Sequence, residues 1–197
     1  MKVIGITGGV GAGKTTVINL LKELCNCRVV MADNVAKELM MIDGPLSKDA
    51  IRIFGKEAYL ENGALNTSHL SQIMFSNTGI KAEWTSLVHP AVKNRIIEMI
   101  NCEKKKDTTE FFFIEAALLL EDNYDALCDE IWYVHVSAKE RIKRLESGRG
   151  YTYQKSKSII DSQLSDEEFI NKTDYMIDNS INVENTRAQL EKLLEKY

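Results

Sequence analysis

Gly8-Gly9-Val10-Gly11-Ala12-Gly13-Lys14-Thr15 satisfies G-x-x-x-x-G-K-[ST] at every position. The glycines let the backbone curl so that its N–H groups point inward. Those donors, with the amino end of a following helix, hold phosphate oxygens. Lys14 then neutralises charge on the outer two phosphates, the Thr15 hydroxyl is a ligand for Mg²⁺, and Thr16 adds a phosphate contact. The expected nucleotide contacts are Gly9, Val10, Gly11, Ala12, Gly13, Lys14, Thr15 and Thr16. A glycine-rich turn with a surface lysine would share the spelling but not the setting. Lys2 to Thr7 is a short β-rich run, and Val17, Leu20, Leu21 and Leu24 repeat at helical spacing, so the motif follows a strand and opens a helix. It specifies a nucleoside triphosphate and leaves the reaction open.

Three further positions could act on that triphosphate. Asp33 ends a second short strand, Arg28 to Met31, and strand ends form the ligand crevice of open α/β sheets. A carboxylate there can orient an acceptor hydroxyl and take its proton, or it can simply cap the next helix; both readings stay open. Glu115 ends the run Phe111-Phe112-Phe113-Ile114 and can hold Mg²⁺ through water, or be a solvated strand-end acid. Arg141, Lys143, Arg144 and Arg149 crowd one stretch of an otherwise acidic chain. The first three read as a solvated helix face. Arg149, between Gly148 and Gly150 as hinges, is the candidate for a mobile cation closing over the transferring phosphoryl group. His89 reads as a helix-capping residue, and His69 and His135 carry no catalytic signal.

The elements that must position these groups alternate strand and helix through 197 residues, which implies a parallel sheet covered on both faces. Further strands are expected at 110–116, 131–136 and 175–178, making five. Helices are expected at 34–41, 47–54, 138–146 and 156–164, over most of 66–106, and at the C-terminus. Ser147 to Gly150 should break the chain between helices, and Pro90 should open a helical turn with His89 pushed out of helical geometry. The helical block of about 45–106 is too long for a simple crossover and reads as an inserted acceptor-binding subdomain. The nucleotide core is then 1–44 with 107–197, and about 145–165 forms a lid.

The net charge of −4 and a pI near 5.5 argue against nucleic acid as a partner. No apolar run approaches the ~18 residues of a membrane span, and the opening residues do not read as a signal peptide. A cytoplasmic enzyme acting as a monomer on small molecules is expected. Cys25, Cys27, Cys102 and Cys128 read as reduced thiols.

Asn171-Lys172-Thr173-Asp174 matches the guanine-reading N-K-x-D pattern and raises a GTPase switch as an alternative. That pattern should follow a buried strand, whereas here a strand comes after it. No Asp is followed three positions later by Gly, so the loop that senses γ-phosphate loss is missing. A nucleoside or nucleotide kinase is the second alternative.

Across nearly its whole length the chain resembles the dephospho-CoA kinase family. The resemblance lies in Ile6-Thr7-Gly8-Gly9 through Thr16, Ala32-Asp33, Phe54-Gly55, Gly63-Ala64-Leu65-Asn66, Phe75, His89-Pro90, Leu118-Leu119-Leu120-Glu121, Gln163 and Asp174-Tyr175-Met176-Ile177-Asp178-Asn179, in that order. It implies a P-loop NTPase fold like that of nucleoside-monophosphate kinases, with a five-stranded parallel sheet, a helical substrate subdomain and a lid. The implied activity is Mg²⁺- and ATP-dependent phosphorylation of the ribose 3′-hydroxyl of dephospho-CoA. The implied roles are Asp33 as base, Arg149 as lid arginine, Asn179 near the adenine and His89 near the acceptor. Departures fall at Ala117, where the family usually has Pro, at Thr67, where a basic residue is usual, and in the register of Ser147-Gly148-Arg149-Gly150.

Overall fold

A computed structural model describes residues 1–116 and 118–197; Ala117 lies outside the described residues. The chain divides into two compact units, one of Met1–Val30 with Glu103–Tyr197, the other of Met31–Cys102.

In the first unit β1 (Lys2–Thr7) leads through the glycine loop into α1 (Lys14–Leu24), and β2 (Cys27–Met31) follows at the edge of the sheet. After the helical unit come β3 (Phe111–Glu115) and β4 (Glu130–His135), in the order β2-β3-β1-β4. β1 is central, and it pairs in parallel with β3 (Ile6 opposite Glu115) and with β4 (Thr7 opposite Tyr133). Because neighbours lie on both sides of β1, the order of connection reverses there. The loop after β1 therefore opens at the switch point of the sheet, where open α/β folds bind ligands.

The side chains on one face alternate into a single core. Ile4, Ile6, Phe113, Trp132 and Val134 pack with Val17 and Leu21 of α1, all of them essentially inaccessible. Each such side chain contributes roughly 1.5–3 kcal/mol through burial. Leu190 and Leu193, on the closing helix, complete this layer.

At the opposite end of the strands Glu130 is a polar anchor. Its carboxylate accepts from Lys2 Nζ at 2.6 Å, from Trp132 Nε1 at 3.4 Å and from the Tyr197 hydroxyl. Burial would raise its pKa, but these donors outweigh burial and hold it below the ordinary carboxylate range. A depressed pKa stabilises the fold above the unfolded value near 4.3, and that contribution fades as pH falls through the lower folded value. Glu130→Gln should cost about 1–2 kcal/mol in denaturant unfolding at pH 7. The deficit should shrink toward pH 3; one that stays constant with pH would exclude the charge as its cause.

The rest of the first unit is α6 (Ala138–Arg149), α7 (Tyr153–Asp161), α8 (Asp166–Asn171), β5 (Tyr175–Asp178) beside β4, and α9 (Val183–Leu194). Two expectations change here. The α6 helix does not break at Ser147; it continues through Gly148 to Arg149, and Gly150, at φ 62°, is the left-handed cap that stops it. The short α8 helix is invisible to hydrophobic periodicity because it is one capping box, Ser165 with Glu168, around a single buried residue, Phe169.

The second unit is helical. It holds α2 (Ala32–Leu39), α3 (Ser47–Phe54), α4 (Thr67–Ser76) and most of α5 (Thr78–Lys106). Gly55, at φ 81°, ends α3 as its position suggests. Asn66 caps α4 by accepting from His69 N, and Phe54 meets Trp84 edge-on at 5.1 Å. Pro90 does not open a helix. It lies inside α5, and His89 stays helical, because the turns on either side hold the segment despite the lost N–H.

Candidate active site

The glycine loop takes the shape its composition implies. Gly13 sits at φ 87° as the residue before α1, a conformation that resists a Cβ, and a Cβ there would come within 2.3 Å of Asn179 Nδ2. Ala12 N donates to Gly9 O and Thr16 N to Gly13 O, which closes the curl. The N–H groups of Gly11, Gly13 and Thr15 take no intramolecular acceptor among the described residues. They are the orphan donors of a helix start, available to an anion.

Lys14 folds back over the loop. Its Nζ donates to Gly8 O at 2.7 Å and lies 3.8 Å from Glu115 Oε1. Glu115 is no solvated strand-end acid: it is 8% exposed. The parallel register that sets it beside Ile6 brings a buried carboxylate to the lysine of the loop. The Thr15 side chain is exposed and has no partner among the described residues.

These groups fit Mg²⁺. Among the described residues no three His, Cys, Asp or Glu side chains gather into a metal cage. An ion that keeps its waters and takes one or two protein oxygens beside phosphate needs no such cage.

The third wall of the loop includes two arginines read from sequence as solvated. Arg141 is 3% exposed and its Nε donates to Val10 O at 2.8 Å. Arg144 Nη2 donates to Asn179 O at 2.9 Å. Asn179 is buried beside the loop; its Nδ2 donates to Ala12 O at 2.8 Å and its Oδ1 accepts from Thr186 Oγ1 at 2.9 Å. The signal was present: arginines three apart lie on one helix face. Only the packing of α6 across the loop shows that this face is turned inward. Gln163 was noted in sequence without a role, and its Oε1 accepts from Val10 N at 3.0 Å. Arg149 is exposed at the end of α6, with no partner among the described residues.

Asp33 and His89 belong to the second unit. Asp33 is not a cap. Met31 is the N-cap of α2, and Asp33 lies in the first turn, exposed, with no hydrogen-bond partner among the described residues. The N-K-x-D segment is likewise accounted for. Asp174 Oδ2 accepts from Ile131 N at 2.7 Å and Asp174 N donates to Ile131 O. It ties the starts of β4 and β5, the strand ends opposite the glycine loop, and so cannot read a base held there.

The family profile described as dephospho-CoA kinase matches residues 2–185. A dephospho-CoA kinase of Carboxydothermus hydrogenoformans is 32% identical over 100% of this chain and 95% of its own length. One of Streptococcus mutans is 33% identical over 99% and 97%. Among solved structures, the dephospho-CoA kinase of Campylobacter jejuni superposes with a TM-score of 0.74 at 21% identity, over 98% of this chain and 96% of that one. A shikimate kinase of Acinetobacter baumannii does so at 0.54 and 16%, over 100% and 92%, which extends the likeness of fold to another small-molecule kinase.

Proposed function

The chain belongs to the dephospho-CoA kinase family, and from that premise we propose a division of labour for phosphoryl transfer from ATP to the ribose 3′-hydroxyl of dephospho-CoA. This activity makes coenzyme A and ADP. The observation that carries it to this chain's own residues is the curled loop, with its unspent amides and Lys14 at 3.8 Å from the buried Glu115.

The triphosphate lies along the N–H groups of Gly11, Gly13 and Thr15. Lys14 exchanges Gly8 O for the outer phosphates, and its charge offsets the negative charge that spreads over the phosphoryl oxygens as transfer proceeds. Thr15 and Glu115 are the residues that would hold Mg²⁺, which when bound neutralises the phosphates and fixes their geometry. Arg144 and Asn179 mark the adenine side of the loop. Arg149 is the outer cation, placed at the end of α6 where a lid would close and exclude water.

Asp33 is the base that orients the acceptor hydroxyl. Its support is its place two residues after β2, its unpartnered carboxylate and the Ala32-Asp33 resemblance. His89 is assigned to the acceptor on the His89-Pro90 resemblance.

A coupled assay of ADP release with dephospho-CoA, pantetheine, adenosine and AMP as acceptors tests the reading. Turnover should be confined to dephospho-CoA among the four. Efficient use of AMP or adenosine in its place would make the chain a nucleotide or nucleoside kinase. Asn179→Asp removes the donor to Ala12 O and sets a carboxylate against the loop. It should raise KM for ATP by about tenfold, since a charge placed beside phosphate is costly. An unchanged KM would leave Asn179 outside the loop's support.

A further inference from the structure

The usefulness of a phosphate loop depends on the direction of its amides, and one residue of this loop is held from outside at both its backbone groups. Val10 O accepts from Arg141 Nε at 2.8 Å, and Val10 N donates to Gln163 Oε1 at 3.0 Å. Arg141 Nη2 donates to the same Oε1 at 2.5 Å, which closes the ring. The carboxamide orientation follows from its neighbours, because both are donors. The guanidinium also lies flat on the loop: a Cβ at Gly9 would come within 2.0 Å of Arg141 Nη2 and 2.5 Å of Nη1.

The second observation is one of charge. Arg141 is 3% exposed, the acceptors of its hydrogen bonds are neutral, and the Asp166 carboxylate, which accepts from the Tyr133 hydroxyl, offsets its charge only in part and from beyond ion-pair distance. Burial accordingly pushes its pKa below the ordinary arginine value. A buried cation with neutral acceptors alone is destabilising, and it persists where an anion completes it. The anion such a loop binds is a nucleotide phosphate.

We propose that Arg141 and Gln163 are positioning residues for the nucleotide: together they fix the two peptide groups that flank Val10, and the buried charge of Arg141 favours phosphate in the loop. This rests on the reading of the loop as the ATP site. The two contributions separate by chemistry. The fork of Nε and Nη2 reaches two acceptors at once, which a lysine amine cannot reproduce. A carboxylate at position 163 would accept the same two hydrogen bonds while cancelling the charge.

The test measures ATP affinity by titration calorimetry, and kcat and KM for both substrates, in the full-length chain. Arg141→Met should weaken ATP binding by about ten- to a hundredfold, the range that charged hydrogen bonds carry, with KM for dephospho-CoA little changed. Gln163→Glu should weaken ATP binding by about tenfold while kcat stays within a few-fold of wild type, because the clamp survives and the charge does not. Arg141→Lys should do the reverse, retaining affinity and lowering kcat. A purely structural arginine would lower the melting temperature without this split.

If Arg141→Met does not fold, Gln163→Glu decides. ATP affinity within twofold of wild type in that variant overturns the proposal. Lys14→Ala serves as the control. If it too leaves ATP affinity untouched, the loop is not the nucleotide site; if it alone weakens binding, the loop reading stands and the Arg141 proposal falls.

Discussion

Lys14→Ala should lower kcat/KM for ATP by about 10³-fold, some 4 kcal/mol of transition-state stabilisation, while the protein still folds. The size follows from where the lysine sits. It is mostly buried, over a loop whose amides face inward, with the Glu115 carboxylate 3.8 Å away. A cation in such a place acts in a medium of low effective dielectric and needs no reorganisation when charge develops. Removing the lysine takes a cation from beside the buried Glu115 and lowers the melting temperature somewhat, but the apolar layer around Trp132 and Leu21 keeps the chain folded, so activity and folding still separate. Steady-state kinetics with a thermal melt checks both halves. A rate within tenfold of wild type would remove the loop lysine from the mechanism.

Asp33→Asn should lower kcat by about 10²–10⁴-fold and leave ATP affinity nearly unchanged, the result expected if Asp33 is a general base that does not touch the nucleotide. The substitution keeps size and shape and removes only charge and basicity. Asp33 is exposed and makes no hydrogen bond among the described residues, so no network inside the protein is lost with the charge. The charge of a first-turn aspartate favours a helix start by only about 0.3–1 kcal/mol, so α2 itself should be preserved. Single-turnover transfer with saturating ATP and dephospho-CoA isolates the step. Near-normal transfer would leave Asp33 as a first-turn acid of α2 and nothing more.

Much of the fold was legible because its signals are local. Five strands were expected and five are present among the described residues; Tyr175–Asp178 falls where its pattern places it, and Gly55 stops α3. The misreadings have different causes. Pro90 reads as a helix opening, but packing on both sides carries α5 through it. Ser147-Gly148 reads as a break, yet a helical glycine costs only ~1 kcal/mol, and Gly150 is the residue whose φ ends the helix. The short α8 has too few apolar residues for any period to register.

The chain's own order of residues determined that a triphosphate-binding loop follows the first strand, because glycines, lysine and hydroxyl act through spacings of a few residues that a turn and a helix start cannot rearrange. What only the tertiary structure decided is which distant side chains close around that loop. Arg141 was indistinguishable in the sequence from a solvated helix cation, and Gln163 was singled out only by the family resemblance, with no role attached. Their meeting at Val10, 131 and 153 residues away along the chain, depends on strand order and helix packing. Burial of a charge is a property of what surrounds it, and no local pattern contains that information.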